Sequence, residues 1–363
     1  MRVLVLNGPN LNLLGTREPE VYGDTTLPDL EAMIGRWGEA LGMETMSRQS
    51  NHEGELVDVI QQSDDFDAIV INPGALTHTS RAIGDALGSV DIPAVEVHIS
   101  NIRQRETWRA VSLVAPSCVR TIYGRGVGGY QDALRHLRNR ASVPFETVRY
   151  GSHPDNVGDV RRPSGVSIGV VILAHGGFWR EEYERDTTET LAVDLVGRGM
   201  TTWNIEYRRG GGWPACAHDV LTAIDHIRVF EGPEPTLAII GHSAGGHLAL
   251  WAAARRPGTV DLIVGLAPVT DLAALADSGS VGAVDARRML ETGAPASVGA
   301  IPGKTFLLHG ERDGVVPNTH STRLSTEARV EVVPKMGHFH MLDPQREHWP
   351  SVVAELGKTP GAG

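Results

Sequence analysis

No lysine occurs before Lys304. That stretch therefore cannot form a lysine Schiff base with a carbonyl substrate, and it cannot hold a P-loop, whose lysine must reach the phosphates. Cysteine is almost as scarce. Cys118 and Cys216 stand far apart without metal-ligand spacing, so we expect no thiolate metal site and read both as small core residues of a reducing cytoplasm. No apolar run is long enough to cross a bilayer. Met1 to Leu6 reads as a strand and lacks the charge pattern of a leader, so neither a targeting segment nor a membrane partner is expected. Positive charge is in deficit, with a formal net charge of -11. Nucleic acid is thus excluded as the main partner, because phosphate binding needs a basic face.

What is present is ordinary in bulk and informative in order. At 363 residues, 41% hydrophobic and 21% charged, the chain has room for two domains with separate cores. Short apolar runs alternate with helical patterns, which predicts α/β architecture. In the first half, strands are predicted near Val3–Leu6, Glu44–Arg48, Ala68–Ile71, Ala94–Val97 and Val119–Ile122. Helical patterns near Leu27–Leu41, Glu53–Gln62, Ser80–Leu87 and Tyr130–Arg140 separate or follow them. Five such strands fit a flavodoxin-like doubly wound parallel sheet, with ligands collecting beyond the carboxyl ends at the switch point between strands one and three. Near residue 141 the pattern breaks into a polar stretch bearing Pro and Gly. We read a first domain over 1–141, a linker and lead-in hairpin over 142–165, and a second α/β domain over 166–363. No internal repeat is evident.

Three loops of the first half carry the polar residues that a site needs. After strand one come Asn10, Arg17 and Tyr22. The stretch "INPGALTHTS" supplies Asn72 and His78, and "EVHISNIRQRETWR" supplies Glu96, His98, Ser100, Arg105 and Arg109. A free phenol is a poor base at neutral pH. A guanidinium within a few Å favours the phenolate, which can then remove a proton next to a carbonyl. Asn10 with a bound water can steady the enolate oxygen. His98, held by Glu96, can protonate a departing hydroxyl. That sequence of steps is dehydration through an enolate.

The stretches "NGPNLNLLGTREPEVYG", "NHEGELVDVIQ", "NPGALTHTS" and "EVHISNIRQRE" resemble type II 3-dehydroquinate dehydratase over nearly all of residues 1–140. The resemblance implies a flavodoxin-like fold, loss of water from 3-dehydroquinate to give 3-dehydroshikimate, and no cofactor. It implies Tyr22 as base, Arg17 as its activator on a lid, His98 as acid and Asn10 as holder of the enolate-binding water. It further implies that Asn72, His78, Ile99, Ser100 and Arg109 bind substrate, that Asp85 reaches a neighbouring subunit's site, and that the chain assembles as a trimer or dodecamer. One departure bears on the assembly. After Arg109 the family continues with paired histidines and a tyrosine, whereas this chain reads "AVSLVAPS". A second motif, "GRGVGG" (Gly124, Gly126, Gly129) with Glu146 beyond it, matches a dinucleotide fingerprint but follows the last strand of its domain. It is read as a tight turn.

The second half carries a different chemistry. "IIGHSAGGHLALWAA" reads strand, turn, helix, with Gly241, Ser243 and Gly245 in the nucleophile-elbow pattern. "LAHGGFWR" ends an earlier strand, and its Gly176–Gly177 backbone can join Ala244 in an oxyanion hole. "LLHGERDGVVP" places Asp313 after a strand and "PKMGHFHML" places His338 in a late loop. In the order Ser, Asp, His, His338 would deprotonate Ser243 and Asp313 would fix the imidazole. His340 rivals His338, and Asp271 or Asp343 rivals Asp313. "YGSHPDNVGDVRRP", "HGGFW", "EYRRGGGWP" and "GHSAGGHLA" resemble the kynurenine formamidase-like and carboxylesterase branch of the α/β-hydrolases over 150–357. That resemblance implies hydrolysis of a small ester or amide, with Tyr207 packed under the oxyanion loop and Asp271–Leu290 as a cap. The expected whole is a cytoplasmic bifunctional enzyme acting on small molecules. The alternative is a dehydratase carrying an inert hydrolase-fold domain for assembly or ligand sensing.

Overall fold

Period-two and wholly apolar runs become strands as expected. β1 (Arg2–Asn7), β2 (Glu44–Gln49), β3 (Ala68–Asn72), β4 (Ala94–His98) and β5 (Arg120–Tyr123) pair in the order β2-β1-β3-β4-β5, all in parallel. This is the flavodoxin-like order. The computed structural model describes residues 1–17, 20, 23–231, 236–301 and 303–358, which divide into two compact units, Met1–Ala141 and Ser142–Gly363. β3 and β4 are buried throughout, as befits central strands covered on both faces. The edge strand β2 carries the polar run ETMSRQ.

The helices of the first unit are α1 (Leu27–Ala40), α2 (Glu53–Gln61), α3 (Arg81–Gly88) and α4 (Gly128–Ser142). The Thr26 side chain accepts from Asp29 N and caps α1, and Ser80 caps α3 by accepting from Ile83 N. Each cap contributes about 1 kcal/mol. Leu30, Ile34 and Gly38 make the buried stripe of α1. At Gly38 a Cβ would sit 2.6 Å from Thr45 Cγ2, so glycine is what lets α1 lie against the edge strand.

In the second unit, β6 (Glu146–Arg149), β7 (Val157–Arg161), β8 (Val170–Ala174), β9 (Thr201–Ile205), β10 (Leu237–His242), β11 (Leu262–Leu266), β12 (Lys304–Gly310) and β13 (Arg329–Val333) form one sheet, ordered β13-β12-β11-β10-β8-β9-β7-β6. β8 to β13 pair in parallel, while β6 and β7 make an antiparallel edge. The hairpin expected over 142–165 is β6 and β7, which pair antiparallel and join the second sheet through β9. Helices α5 (Glu189–Gly197), α6 (Gly212–Glu231), α7 (Ala244–Arg255), α8 (Leu272–Asp277), α9 (Ala283–Glu291), α10 (Thr319–Thr322) and α11 (Trp349–Leu356) complete the unit. α7 is buried from Ala244 to Ala253, which explains its small, apolar sequence. Among the described residues no helix is long and apolar enough to cross a membrane.

Candidate active sites

The first unit holds a cleft of about 680 Å³, open mouth included, at the carboxyl edge of its sheet. Asn10 and Arg17 line it from the loop after β1, and Asn72 and His78 line it after β3. His98, Ile99, Ser100, Arg105 and Arg109 come from the loop after β4. Two of these loops cross at close range. A Cβ on Gly8 would sit 2.4 Å from Pro73 O, and one on Gly74, whose φ is +58°, would sit 2.8 Å from Pro9 O. Asn10 is itself left-handed, with φ 68°, a conformation asparagine tolerates better than most residues. Asn51 Oδ1 holds Asn10 by accepting from its backbone N at 2.9 Å.

Glu96 and His98 sit two residues apart on β4, so their side chains leave the same face. His98 Nε2 donates to Glu96 Oε1 at 2.9 Å, and both residues are buried. The carboxylate also accepts from the hydroxyls of Thr77, of Ser112 at 2.9 and 3.0 Å, and of Thr121 at 3.2 Å. Burial pushes the Glu96 carboxyl up, but the bond and charge of His98 and the Thr77 and Ser112 bonds outweigh it and hold the group below its ordinary value. With Nε2 committed to Glu96, Nδ1 is the His98 atom left for a substrate. His78 Nδ1 donates to Val111 O at 2.8 Å. Burial, opposed by that bond and helped by the charges of His98 and Arg109, lowers its pKa and favours the neutral ring.

Asn72 is fixed from behind. Its Nδ2 donates to Tyr130 OH at 3.0 Å, Tyr130 OH donates to Asn7 Oδ1 at 2.6 Å, and Asn72 Oδ1 accepts from Gly74 N at 3.2 Å. One amide hydrogen of Asn72 remains for the cleft. Arg109 donates to Glu106 Oε2 at 2.8 Å and lies over the Trp108 ring. The "GRGVGG" turn fastens the cleft floor. Gly124 N donates to Ser100 O and Gly126 N to Ile99 O, and a Cβ on Gly129 would press on Val97 and Ile122. Glu146 lies on β6 of the other unit, so the motif is a structural turn.

The second unit assembles its site from four loops. Ser243 has φ 54° and ψ −116°, a strained elbow between β10 and α7. Glycines permit that turn: a Cβ on Gly241 would sit 2.4 Å from Gly245 O, and one on Gly245 would sit 2.1 Å from Ala174 O. His338 Nδ1 donates to Asp313 Oδ2 at 2.7 Å, which leaves Nε2 as the basic atom. Asp313 also accepts from Val315 N, Val316 N and His309. Burial raises its pKa, but the His309 and His338 bonds prevail and hold it far below the ordinary value. His242, next to Ser243 in the chain, packs its ring at 4.6 Å and a 51° tilt against His338 and donates to its carbonyl at 3.3 Å. Among the described residues the Ser243 hydroxyl makes no hydrogen bond to His338, a looseness common in ligand-free sites.

The Gly176–Gly177 loop lies against Ser243: a Cβ on Gly176 would be 3.0 Å from Ser243 Cβ. Gly177, Phe178 and Trp179 all have positive φ, and the loop is tied down on both sides. Tyr207 OH donates to His175 O at 2.7 Å, and its ring stacks on His175. Arg180 makes a forked pair with Asp285 of α9, and Arg288 donates to Trp179 O. The segment expected as a cap holds the helices α8 and α9, and α9 is fastened to the residues that follow Gly177.

The family model for dehydroquinase class II matches residues 1–138. A 3-dehydroquinate dehydratase of Thermus thermophilus is 50% identical over 146 residues, which are 40% of this chain and 98% of that protein. The chain belongs to the class II dehydroquinase family. A catabolic 3-dehydroquinase of Aspergillus clavatus is 51% identical over 146 residues, 39% of this chain and 97% of its own. Beyond the dehydroquinase unit, the BD-FAE family model matches residues 159–296. Esterase B from Lactobacillus rhamnosis superposes with a TM-score of 0.53 over 62% of this chain and 88% of its own, at 17% identity, which shows an esterase-like α/β-hydrolase fold. The chain therefore joins a unit of the class II dehydroquinase family to a unit with an esterase-like α/β-hydrolase fold.

Of the residues expected at the dehydroquinase site, Asn10, Arg17, Asn72, His78, His98, Ile99, Ser100 and Arg109 line one cleft, and Glu96 lies beneath His98. Tyr22 lies outside the described residues. Asp85 is exposed on α3 and lines a separate groove with Arg81 and Ser117. In the hydrolase unit the rivals separate from the site. His340 accepts from Gly337 N, Asp343 pairs with Arg346, and Asp271 caps α8. Sequence reasoning missed Asn51, Thr77, Ser112, His175 and Glu206. Thr77 and Asn51 fall inside the quoted motifs, a usable signal. His175 and Glu206 likewise open the quoted stretches "HGGFW" and "EYRRGGGWP", and Ser112 is identified only by what it touches.

Proposed function

We propose that the chain is bifunctional, with two cytoplasmic activities on small molecules in a homo-oligomer. The dehydroquinase unit removes water from 3-dehydroquinate to give 3-dehydroshikimate, the reaction in the name of its relatives. Tyr22, activated by Arg17, takes a proton from the carbon next to the ketone. The electrons move onto the ketone oxygen, where a water held by Asn10 steadies the enolate. Collapse of the enolate expels the β-hydroxyl as His98 Nδ1 supplies its proton, so one C–H and one C–O bond become a C=C and a water. No cofactor is needed for these steps. The observation that carries the reading is the buried His98–Glu96 pair at the floor of a cleft where Asn10, Arg17 and Asn72 converge. Tyr22→Phe should lower turnover by several orders of magnitude. Borohydride with substrate should leave the protein active, and trapped inactive enzyme would refute the mechanism.

The hydrolase unit cleaves a small ester or amide. Ser243 attacks the carbonyl, His338 Nε2 takes its proton, and the backbone amides of Gly177 and Ala244 receive the oxyanion. Support comes from the 2.7 Å His338–Asp313 bond beside a strained serine. An inert domain would have no reason to keep that pair. Ser243→Ala should abolish hydrolysis of p-nitrophenyl acetate and leave the dehydratase rate unchanged. Phosphonate labelling that persists in that variant would show a different nucleophile.

A further inference from the structure

Resting on the serine-hydrolase reading of the second unit, we propose that His175 is a buried imidazolium and, with Glu206, forms a positioning pair that aims and polarises the oxyanion-hole amide of Gly177. The case begins with hydrogen-bond accounting. His175 is wholly buried, and each of its ring nitrogens faces an acceptor: Nδ1 lies 2.7 Å from Gly176 O, and Nε2 lies 2.8 Å from Glu206 Oε1. A carbonyl can only accept, so Nδ1 carries a hydrogen. Glu206 is surrounded by donors, namely Arg209, the backbone N of Arg185 at 3.0 Å, the backbone N of Tyr207 at 3.2 Å and the Arg185 guanidinium at 3.6 Å. Such a carboxylate is ionised and can only accept, so Nε2 carries a hydrogen as well. A ring that donates from both nitrogens is positively charged.

The consequence falls on the reaction. Gly176 C=O and Gly177 N–H belong to one planar trans peptide and point in opposite directions. The imidazolium that holds the carbonyl therefore turns the Gly177 N–H away from itself. Its charge strengthens that N–H as a donor through the polarised peptide. Tyr207 secures the preceding carbonyl, so the peptide cannot flip freely. Because charge appears on the substrate oxygen only in the transition state, the pair should act on kcat and hardly on KM.

The deciding experiment uses the full chain with ¹⁵N-labelled histidine rings. One histidine should show both ring nitrogens as N–H at pH 8, and that signal should vanish in His175→Asn. A singly protonated ring at His175 overturns the proposal whether or not the protein hydrolyses esters. If Ser243 neither turns over nor takes phosphonate, the hydrolase reading fails on its own. In Glu206→Gln the ring becomes neutral, and kcat for p-nitrophenyl acetate should fall about ten- to a hundredfold with KM within about twofold. The affinity of a boronate transition-state analogue should fall by the same factor, with dehydratase turnover unaltered. Unchanged kcat, or equal losses in kcat and in binding of a neutral substrate analogue, would refute the role. Should Glu206→Gln fail to fold, the ring signal of the parent chain still decides.

Discussion

At the scale of single residues, both sites turn on a carboxylate that fixes a histidine, and in both the carboxylate is kept ionised by donors and not by solvent. Glu96 accepts from His98, Thr77, Ser112 and Thr121, and Asp313 accepts from His338, His309 and two backbone amides. Replacing Glu96 with Gln removes the negative charge that favours a protonated His98. Glu96→Gln should therefore lower dehydratase kcat by about 10²- to 10³-fold with little change in KM. Steady-state assays with 3-dehydroquinate check this, and a pure KM effect would show that Glu96 serves binding alone. Two other histidines report on stability. Burial lowers His247 and His320 to about 4 from an ordinary value of 6.5. The unfolded chain takes up these protons as the pH falls through 6.5, whereas the folded chain resists until about 4. Stability should thus be lost between those limits, on the order of 3 kcal/mol per ring. The melting midpoint of the second unit should drop over that window, less steeply in a His247→Gln, His320→Gln chain; equal slopes would refute the assignment.

At the scale of elements, the sites depend on loops and strands that approach closer than side chains allow. The contact of α7 with the end of β8 is the tightest against backbone, since a Cβ on Gly245 would lie 2.1 Å from Ala174 O and 2.3 Å from His175 O. Both obstacles are backbone and cannot rotate away. Gly245→Ala should destabilise the second unit by about 3 kcal/mol or more and abolish esterase activity. Gly35 offers the opposite case. It lies exposed in α1, with negative φ and open space around its Cα, so Gly35→Ala should stabilise the first unit by about 0.5–1 kcal/mol. Thermal unfolding of the two variants should move in opposite directions.

At the scale of the whole molecule, the core clusters of residues 1–141 share no member with those of 142–363. Each unit buries its own apolar surface and should fold without the other. A chain ending at Ala141 should then remain soluble and retain dehydratase activity. Asp85 is exposed on α3 and absent from its own chain's cleft, so a site completed by a neighbour requires the truncated chain to associate, and a trimer or larger assembly is the expected outcome. Light scattering with activity assays checks both points. An active monomer would refute the shared site, and an insoluble product would refute the boundary.

Much of this was legible in the residues themselves, because strand alternation and motif spacing are local properties. The runs RVLVLN, AIVIN and AVEVH could be nothing but central strands, and Glu96 with His98 had to share a face once β4 was a strand. Tight turns were equally legible, since Gly124 and Gly126 take positive φ and a Cβ on Gly241 or Gly245 would run into backbone. Tertiary structure alone decided matters of partnership. It paired His338 with Asp313, and left His340, Asp271 and Asp343 with other partners, because a hydrogen bond between distant loops leaves no mark on local sequence. It showed that the expected hairpin joins the second sheet beside β9, since an edge strand is defined by the neighbour it pairs with. It also joined His175 to Glu206 across two strands, a charge balance that exists only after burial has removed the water.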